Sequence, residues 1–229
     1  MHINIMDKQG ASQMRTIMVL NTKGGCGKST IATNLASYYA YEEELNVVIE
    51  DFDPQGSSTE WLKARPEEYP EITGIRAWEE AARPPKGTDI VIIDAPAATY
   101  GKDMTSLVKR ADTIIIPVLP SPIDMRAAAK FIHDLLLQGK VSRKQTKIAV
   151  IANRVRENTI VFHSLEKFLK SLKIPFITTL RDTQNYIRTA ERGIGIYEMA
   201  PSSVYQDLEQ WEPLTKWLRS KRSLPEAKK

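Results

Sequence analysis

Short, continuous runs of apolar residues recur along the chain, separated by longer stretches in which apolar residues return every three or four positions. Examples of the continuous runs are Val47-Val48-Ile49, Ile90-Val91-Ile92-Ile93 and Ile114-Ile115-Ile116. Such runs are typical of strands buried on both faces, as in a parallel sheet covered by helices. The pattern predicts strands over residues 16–21, 46–51, 72–75, 89–94, 112–118, 147–153 and 174–178.

Helical spacing of apolar residues fills most of the gaps between these strands. In residues 29–41, Ile31, Leu35 and the pair Tyr38-Tyr39 recur at helical intervals. Strands alternating with helices predict an α/β fold, a single domain with a mainly parallel, twisted sheet of about seven to eight strands flanked by helices. The predicted helices cover residues 29–41, 103–110, 122–138, 159–171, 183–191 and 202–221.

Composition narrows the class of protein. The chain has 229 residues, enough for one α/β domain, and carries a net charge of +4. No apolar run approaches the ~20 residues of a membrane span, and a single cysteine suits a reducing cytoplasm. We expect a flexible leader over residues 1–14, the domain over 15–222 and a flexible basic tail over 223–229. From residue 214 onward six basic residues face one acidic residue, a balance found both in tails that bind polyanions and in ordinary soluble ends.

A glycine-rich sequence follows the first predicted strand. Residues 23–30 read Lys-Gly-Gly-Cys-Gly-Lys-Ser-Thr and fit the phosphate-binding P-loop at the start of a helix. We expect Lys28 to reach the β- and γ-phosphates, Ser29 to bind Mg²⁺ and Thr30 to lie near the α-phosphate. Cys26 is either a reactive thiol or, as we favour, a small buried side chain. The nucleotide-binding residues predicted here are Gly24, Gly25, Cys26, Gly27, Lys28, Ser29 and Thr30.

A second lysine at the start of this loop suggests the subclass. Lys-Gly-Gly-x-Gly-Lys-Ser/Thr resembles the deviant Walker A signature of the ParA/MinD family of P-loop ATPases. In that family the first lysine reaches across an ATP-sandwich dimer to the partner's phosphates, so the resemblance implies a catalytic role for Lys23 beside Lys28. The alternative is a glycine-rich turn with two solvated lysines. The resemblance extends from about Thr16 to Leu218.

Three aspartates lie at the ends of predicted strands, where doubly wound sheets bind ligands. Residues 51–55 read Asp-Phe-Asp-Pro-Gln and are similar to the family's switch I. The resemblance implies that Asp53 is catalytic and orients the attacking water, and that Asp51 supports the Mg²⁺ shell. The alternative is an acidic turn capped by proline. Asp94 ends the fourth predicted strand in a Walker B arrangement, where it would hold an Mg²⁺-bound water.

The same resemblance implies roles for later polar residues. Asn153 would hydrogen-bond adenine, or else be an ordinary turn residue. Arg181, Arg188 and Arg192 fall where ParA-like proteins bind DNA without sequence preference; solvated surface charges are the alternative for each.

The family's behaviour defines the expected function. The resemblance implies a cytoplasmic, nucleoid-associated, Mg²⁺-dependent ATPase that forms an ATP-bound homodimer on DNA. A cargo-bound adaptor protein would stimulate hydrolysis, so distributing a carboxysome, plasmid or chromosome. A MinD-like ATPase that cycles on membranes is one rival, and a metal-cluster enzyme related to the nitrogenase iron protein is another. We expect Leu214, Trp217 and Leu218 to pack on the domain, and therefore no stable membrane association.

Overall fold

A twisted sheet forms the centre of the molecule, and every pair of neighbouring strands in it is parallel. The computed structural model describes residues 14–81, 83–97, 101–137 and 145–226. In this part of the chain the strands are β1 Arg15–Val19, β2 Val47–Asp51, β3 Ile72–Arg76, β4 Ile90–Asp94, β5 Thr113–Val118, β6 Lys147–Val155 and β7 Phe176–Arg181. Their spatial order is β3-β2-β4-β1-β5-β6-β7, so the prediction of a mainly parallel sheet of about seven to eight strands is confirmed, with seven strands described.

Helices cover both faces of the sheet. One apolar cluster joins the sheet to helices early and late in the chain, and the other joins it to helices in the middle. The helices are α1 Lys28–Tyr41, α2 Ser57–Lys63, α3 Gly101–Val108, α4 Pro122–Leu137, α5 Ile160–Ser171, α6 Asn185–Glu191 and α7 Pro201–Arg219, with 3-10 helices Ile196–Glu198 and Lys221–Ser223. α1 and α7 pack on one face, and α3, α4 and α5 pack on the other.

The apolar runs explain this layering. Successive side chains of a strand point to opposite faces, and in β1 Ile17 lies in one cluster while Met18 lies in the other, each fully buried. Each fully buried isoleucine contributes about 1.5–3 kcal/mol relative to exposure. A continuous run is therefore stable only when helices cover both faces.

The apolar periodicity of the sequence did not predict helix α2. In α2 only Ser58 and Trp61 are buried, too few to produce a helical apolar pattern. The Trp61 indole N–H donates to the carbonyl of Ile194 at 3.2 Å, which ties α2 to the chain after α6.

The end of the chain packs more closely than expected. Leu214 and Leu218 of α7 are fully buried and Trp217 packs beside them, which confirms their predicted role in the domain. The division expected at residue 222 falls inside a 3-10 helix, where Ser223 is fully buried and its hydroxyl accepts a hydrogen bond from Arg15 at 2.9 Å. Residues 1–13 of the expected leader and 227–229 of the expected tail lie outside the described residues. Among the helices described, none has the length and apolar character that a bilayer crossing requires.

Candidate nucleotide-binding site

The glycine-rich loop between β1 and α1 adopts a backbone conformation that favours glycine at two positions. Gly25 and Gly27 have φ angles of 74° and 92°. A Cβ at Gly27 would lie 2.2 Å from the amide nitrogen of Asn153, whereas a Cβ at Gly24 or Gly25 would meet nothing within 4 Å. The loop therefore has open space beside Gly24 and Gly25. Because α1 begins at Lys28, directly after the loop, the N–H groups of its first turn lie at the same place.

Two asparagines hold the loop, Asn21 just after β1 and Asn153 near the end of β6. The Asn21 amide donates to the carbonyl of Pro117 at 2.7 Å and accepts from the Lys23 N–H at 3.1 Å. The Asn153 amide donates to the carbonyl of Cys26 at 2.8 Å. The amide nitrogen of Asn153 thus supports the loop, and the contact with adenine that the resemblance implies stays a prediction. Asn21 was missed because a single asparagine after a strand carries no distinctive pattern.

The two lysines of the loop have different environments. Lys28 is buried, and its ammonium makes one long contact among the described residues, 3.5 Å to the carbonyl of Lys23. An ammonium with three donors and so few acceptors suits an anionic ligand. The Lys23 side chain is exposed. Cys26 is 1% exposed and burial raises the pKa of its thiol, so the interpretation as a small buried side chain fits and the reactive thiol does not.

Asp94 is buried with half of its hydrogen-bonding capacity unused. Its Oδ2 accepts from the Ser58 hydroxyl at 2.6 Å, while its Oδ1 has no hydrogen-bond partner among the described residues. Burial raises the pKa of Asp94 to about 6, although the hydroxyls of Ser58 and Ser29 oppose the shift. A buried carboxylate oxygen without a donor, close to a serine hydroxyl, fits a hydrated Mg²⁺ ion.

Asp51 lies beside Asp94 because the two residues are partners in the register of β2 and β4. Its Oδ2 accepts from the backbone N–H and the hydroxyl of Thr59 at 3.0 and 3.1 Å, and its Oδ1 accepts from the Asp53 N–H at 3.1 Å. Both carboxylate oxygens therefore hold α2 and the loop before it. Since α2 also carries Ser58, Asp51 positions the donor to Asp94. Ser58 and Thr59 were missed together with α2; the Ser-Ser-Thr-Glu run after Gly56 was the available signal.

Asp53 shapes its own turn. Its Oδ1 accepts from the Gln55 N–H at 3.0 Å, and its carbonyl accepts from the Gly56 N–H at 2.8 Å. Its Oδ2 has no hydrogen bond to any of the described residues and the side chain is half-buried, so one oxygen is available to a water molecule.

The three arginines predicted to bind DNA are not equivalent. Arg181 forms a two-pronged ion pair with Asp207, with Nε–Oδ1 and Nη2–Oδ2 distances of 2.5 and 3.0 Å, and also donates to Gln206. Asp207 is fully buried, so its ion pair with Arg181 stabilises the folded structure. Arg188 and Arg192 are exposed and form no ion pair with any described residue. They are therefore free to bind a polyanion, whereas the donors of Arg181 are largely occupied.

The fold and the loop agree with a comparison against protein families. The model of the CobQ/CobB/MinD/ParA nucleotide binding domain matches residues 17–196. The chain belongs to this family. Its P-loop, Asp51 and Asp94 all lie within the matched region, so the resemblance to ParA and MinD is confirmed. Domains of this family generally hydrolyse ATP.

Relatives of this ParA/MinD family member include proteins named for carboxysomes. "Maintenance of carboxysome distribution protein A" from Halothiobacillus neapolitanus is 27% identical over 80% of this chain and 87% of its own length. The protein of the same name from Gloeobacter kilaueensis is 29% identical over 82% of this chain and 86% of its own length. The apo structure of McdA from Cyanothece superposes with a TM-score of 0.67, at 16% identity, over 88% of this chain and all of that one. At 16% identity, the similarity to the Cyanothece structure shows that the fold is shared.

Proposed function

We propose that this protein is a ParA-type ATPase that positions a cellular cargo. The observation that carries the proposal is the site formed by the open P-loop, the buried Lys28 ammonium and the unpaired Asp94 Oδ1. The loop and Lys28 supply donors for phosphate oxygens, and Asp94 supplies an acceptor for a hydrated cation.

Different residues of the site have different roles in the proposed hydrolysis of ATP. Backbone N–H groups of Gly24 to Thr30 and the start of α1 bind the phosphates, and Lys28 neutralises the β- and γ-phosphates. Ser29 and Asp94 would hold Mg²⁺, with Asp51 supporting them from behind. When bound, Mg²⁺ stabilises the charge that develops on the phosphate oxygens. Asp53 uses its free oxygen to orient the attacking water.

ATP binding is proposed to join two copies of the chain through the face that carries the loop. Three isoleucines are exposed at or near the first turns of α4, α5 and α6, namely Ile123 (66%), Ile160 (85%) and Ile187 (51%). These helices follow β5, β6 and β7, whose carboxyl ends lie at the same edge of the parallel sheet as the P-loop. Exposed apolar side chains around a ligand site favour a protein interface there. In the proposed dimer, Lys23, which is also exposed, reaches the nucleotide of the partner subunit.

DNA binding is assigned to Arg188 and Arg192. A dimer presents two copies of this pair, and the second contact with DNA is then intramolecular, so dimerisation by itself raises affinity. In the cytoplasm, the ATP-bound dimer thus binds nucleoid DNA. A cargo-bound adaptor protein that stimulates hydrolysis would release the dimer from the DNA. The names of the relatives favour a carboxysome as the cargo over a plasmid or a chromosome.

The C-terminal helix α7 does not support the alternative of a MinD-like ATPase that cycles on membranes. A helix that lies on a bilayer presents an apolar face outward, but Leu214 and Leu218 of α7 are fully buried in the domain. The metal-cluster alternative needs cysteine ligands, and the one cysteine of the chain, Cys26, is buried in the P-loop.

A titration of random-sequence duplexes, followed by fluorescence anisotropy with ATP or ADP at several salt concentrations, tests the proposal. We expect DNA binding with ATP only, a steep loss of affinity with salt and no sequence preference. Arg188→Glu combined with Arg192→Glu should lower affinity by about tenfold or more at low salt, because four charges reverse in the dimer.

The matched control is Lys167→Glu with Lys173→Glu, which reverses two exposed charges on and after α5, and it should retain most of the affinity. Equal DNA affinity with ATP and ADP would contradict control by dimerisation. ATP-dependent binding to anionic vesicles without DNA binding would favour the membrane rival.

A further inference from the structure

A groove of about 440 Å³ lies between the end of α1 and the middle of α7. α1 starts at the P-loop and is 14 residues long, so the groove is about 20 Å from the nucleotide site. Its floor is aromatic, since the rings of Tyr38 and Tyr197 lie 4.9 Å apart, with Leu208 beside them. A volume of this size is within the range of pockets that bind small ligands or side chains.

The rim of this groove is acidic. Glu42, Glu209 and Glu212 are exposed, line the groove and form no ion pair with any described residue. The one basic side chain among the lining residues, Arg219, is balanced by Glu43 at 3.3 Å. The groove therefore carries an unbalanced negative charge in a protein whose net charge is +4.

An additional aromatic ring extends the floor to the surface. Tyr205 is 66% exposed, lines the groove and hydrogen-bonds Glu209. A large exposed ring beside a carboxylate, next to the tilted rings of Tyr38 and Tyr197, offers an aromatic face and negative charge to one ligand. Cations bind over aromatic faces, and a planar guanidinium can stack on a ring while it donates to a carboxylate.

We propose that this groove binds arginine side chains of a basic segment from a partner protein. Charge complementarity selects such a segment, because the three carboxylates around the aromatic floor have no ion pair among the described residues. An apolar or acidic peptide would leave their charge unbalanced. Lys221 and Arg222, which directly follow α7, are not the occupant, since their 3-10 helix is held elsewhere by hydrogen bonds of Ser223 with Arg15 and Thr113. The proposal goes beyond the nucleotide cycle and does not depend on it.

Fluorescence anisotropy of the full chain with a fluorescein-labelled Gly-Arg-Gly-Arg-Gly-Arg-Gly peptide tests this proposal. The expected result is saturable binding that is lost when citrulline, which is neutral and nearly the same shape, replaces arginine. Glu209→Lys with Glu212→Lys should weaken binding by about tenfold or more. Tyr205→Ala, at an exposed position, should weaken it by about threefold through loss of the stacking surface.

Glu67→Lys with Glu68→Lys is the matched control, since it reverses two exposed carboxylates outside the groove. This control should bind the peptide within about twofold of the unmodified chain after the change in net charge is screened by 0.15 M salt. Equal weakening in both double variants, or equal binding of the citrulline peptide, would overturn the proposal. Displacement of the peptide by methylguanidinium at an equal concentration would show a small-cation site and also overturn it.

Discussion

At the scale of single residues, the neighbours of a charged side chain decide what it can do. Arg181 and Arg188 are both arginines in the segment predicted to bind DNA, yet Arg181 neutralises the buried Asp207 and Arg188 faces solvent. Asp207 accepts one further hydrogen bond, from Asn185 at 2.7 Å. Loss of the Arg181 guanidinium would leave a buried carboxylate with too little compensation.

We therefore expect Arg181→Ala to lower the free energy of unfolding by about 2–4 kcal/mol, because it strands the charge of Asp207. Arg188→Ala should change it by less than about 0.5 kcal/mol. Urea denaturation measures both values. Adding Asp207→Asn to Arg181→Ala should recover part of the loss by removing the stranded charge. A stable Arg181→Ala variant with weakened DNA binding would instead restore Arg181 as a direct DNA ligand.

At the scale of elements, a short helix links the two strand ends that carry aspartates. α2 is held at its start by Asp51 and presents Ser58 to Asp94. Groups behind a metal ligand orient it and tune its affinity for the ion. The helix therefore connects Asp51 to the proposed magnesium site through two hydrogen-bonded side chains, those of Thr59 and Ser58.

Ser58→Ala should raise the Mg²⁺ concentration needed for half-maximal ATPase activity by about tenfold or more, since it removes the donor that orients Asp94. Ser57→Ala is the matched control on the same helix, because Ser57 is exposed and lacks that contact. A coupled ATPase assay with a Mg²⁺ titration measures the effect, and nucleotide binding without Mg²⁺ should be unchanged. If Ser57→Ala and Ser58→Ala gave the same Mg²⁺ dependence, the link through α2 would be wrong.

At the scale of the whole molecule, the parallel topology brings the residues of the candidate nucleotide-binding site together at one edge of the sheet. β1 lies between β4 and β5, so the loop after β1 is next to Asp94 and to Pro117, which anchors Asn21. The exposed isoleucines that begin α4, α5 and α6 lie at this edge too. The same face that binds nucleotide is thus the face proposed to meet a second copy of the chain.

Lys23→Ala should abolish ATP-dependent dimerisation while leaving the monomer folded, because Lys23 is exposed and its side chain contributes to no ion pair described here. Size-exclusion chromatography with light scattering, in an Asp53→Ala background that slows hydrolysis, measures the dimer. Lys109→Ala, at another exposed lysine, should dimerise normally. Unchanged dimer formation by Lys23→Ala would exclude a role across the interface.

The sequence by itself determined the parallel sheet, the P-loop and the positions of Asp51 and Asp94 at strand ends, because buried strands and phosphate loops depend on local patterns of apolar residues and glycine. That these two strand ends are neighbours was decided by the order of the sheet. It did not reveal α2, whose two buried residues leave no periodicity. Only the tertiary structure decided that Arg181 is bound to Asp207, that Asn153 holds the P-loop, and that Tyr38 and Glu209 line one groove. Each of these arrangements brings together residues that are far apart in the chain. How deeply a side chain is buried, which charge faces it and which donors reach it depend on such contacts, and the spacing of residues along the sequence does not reveal them.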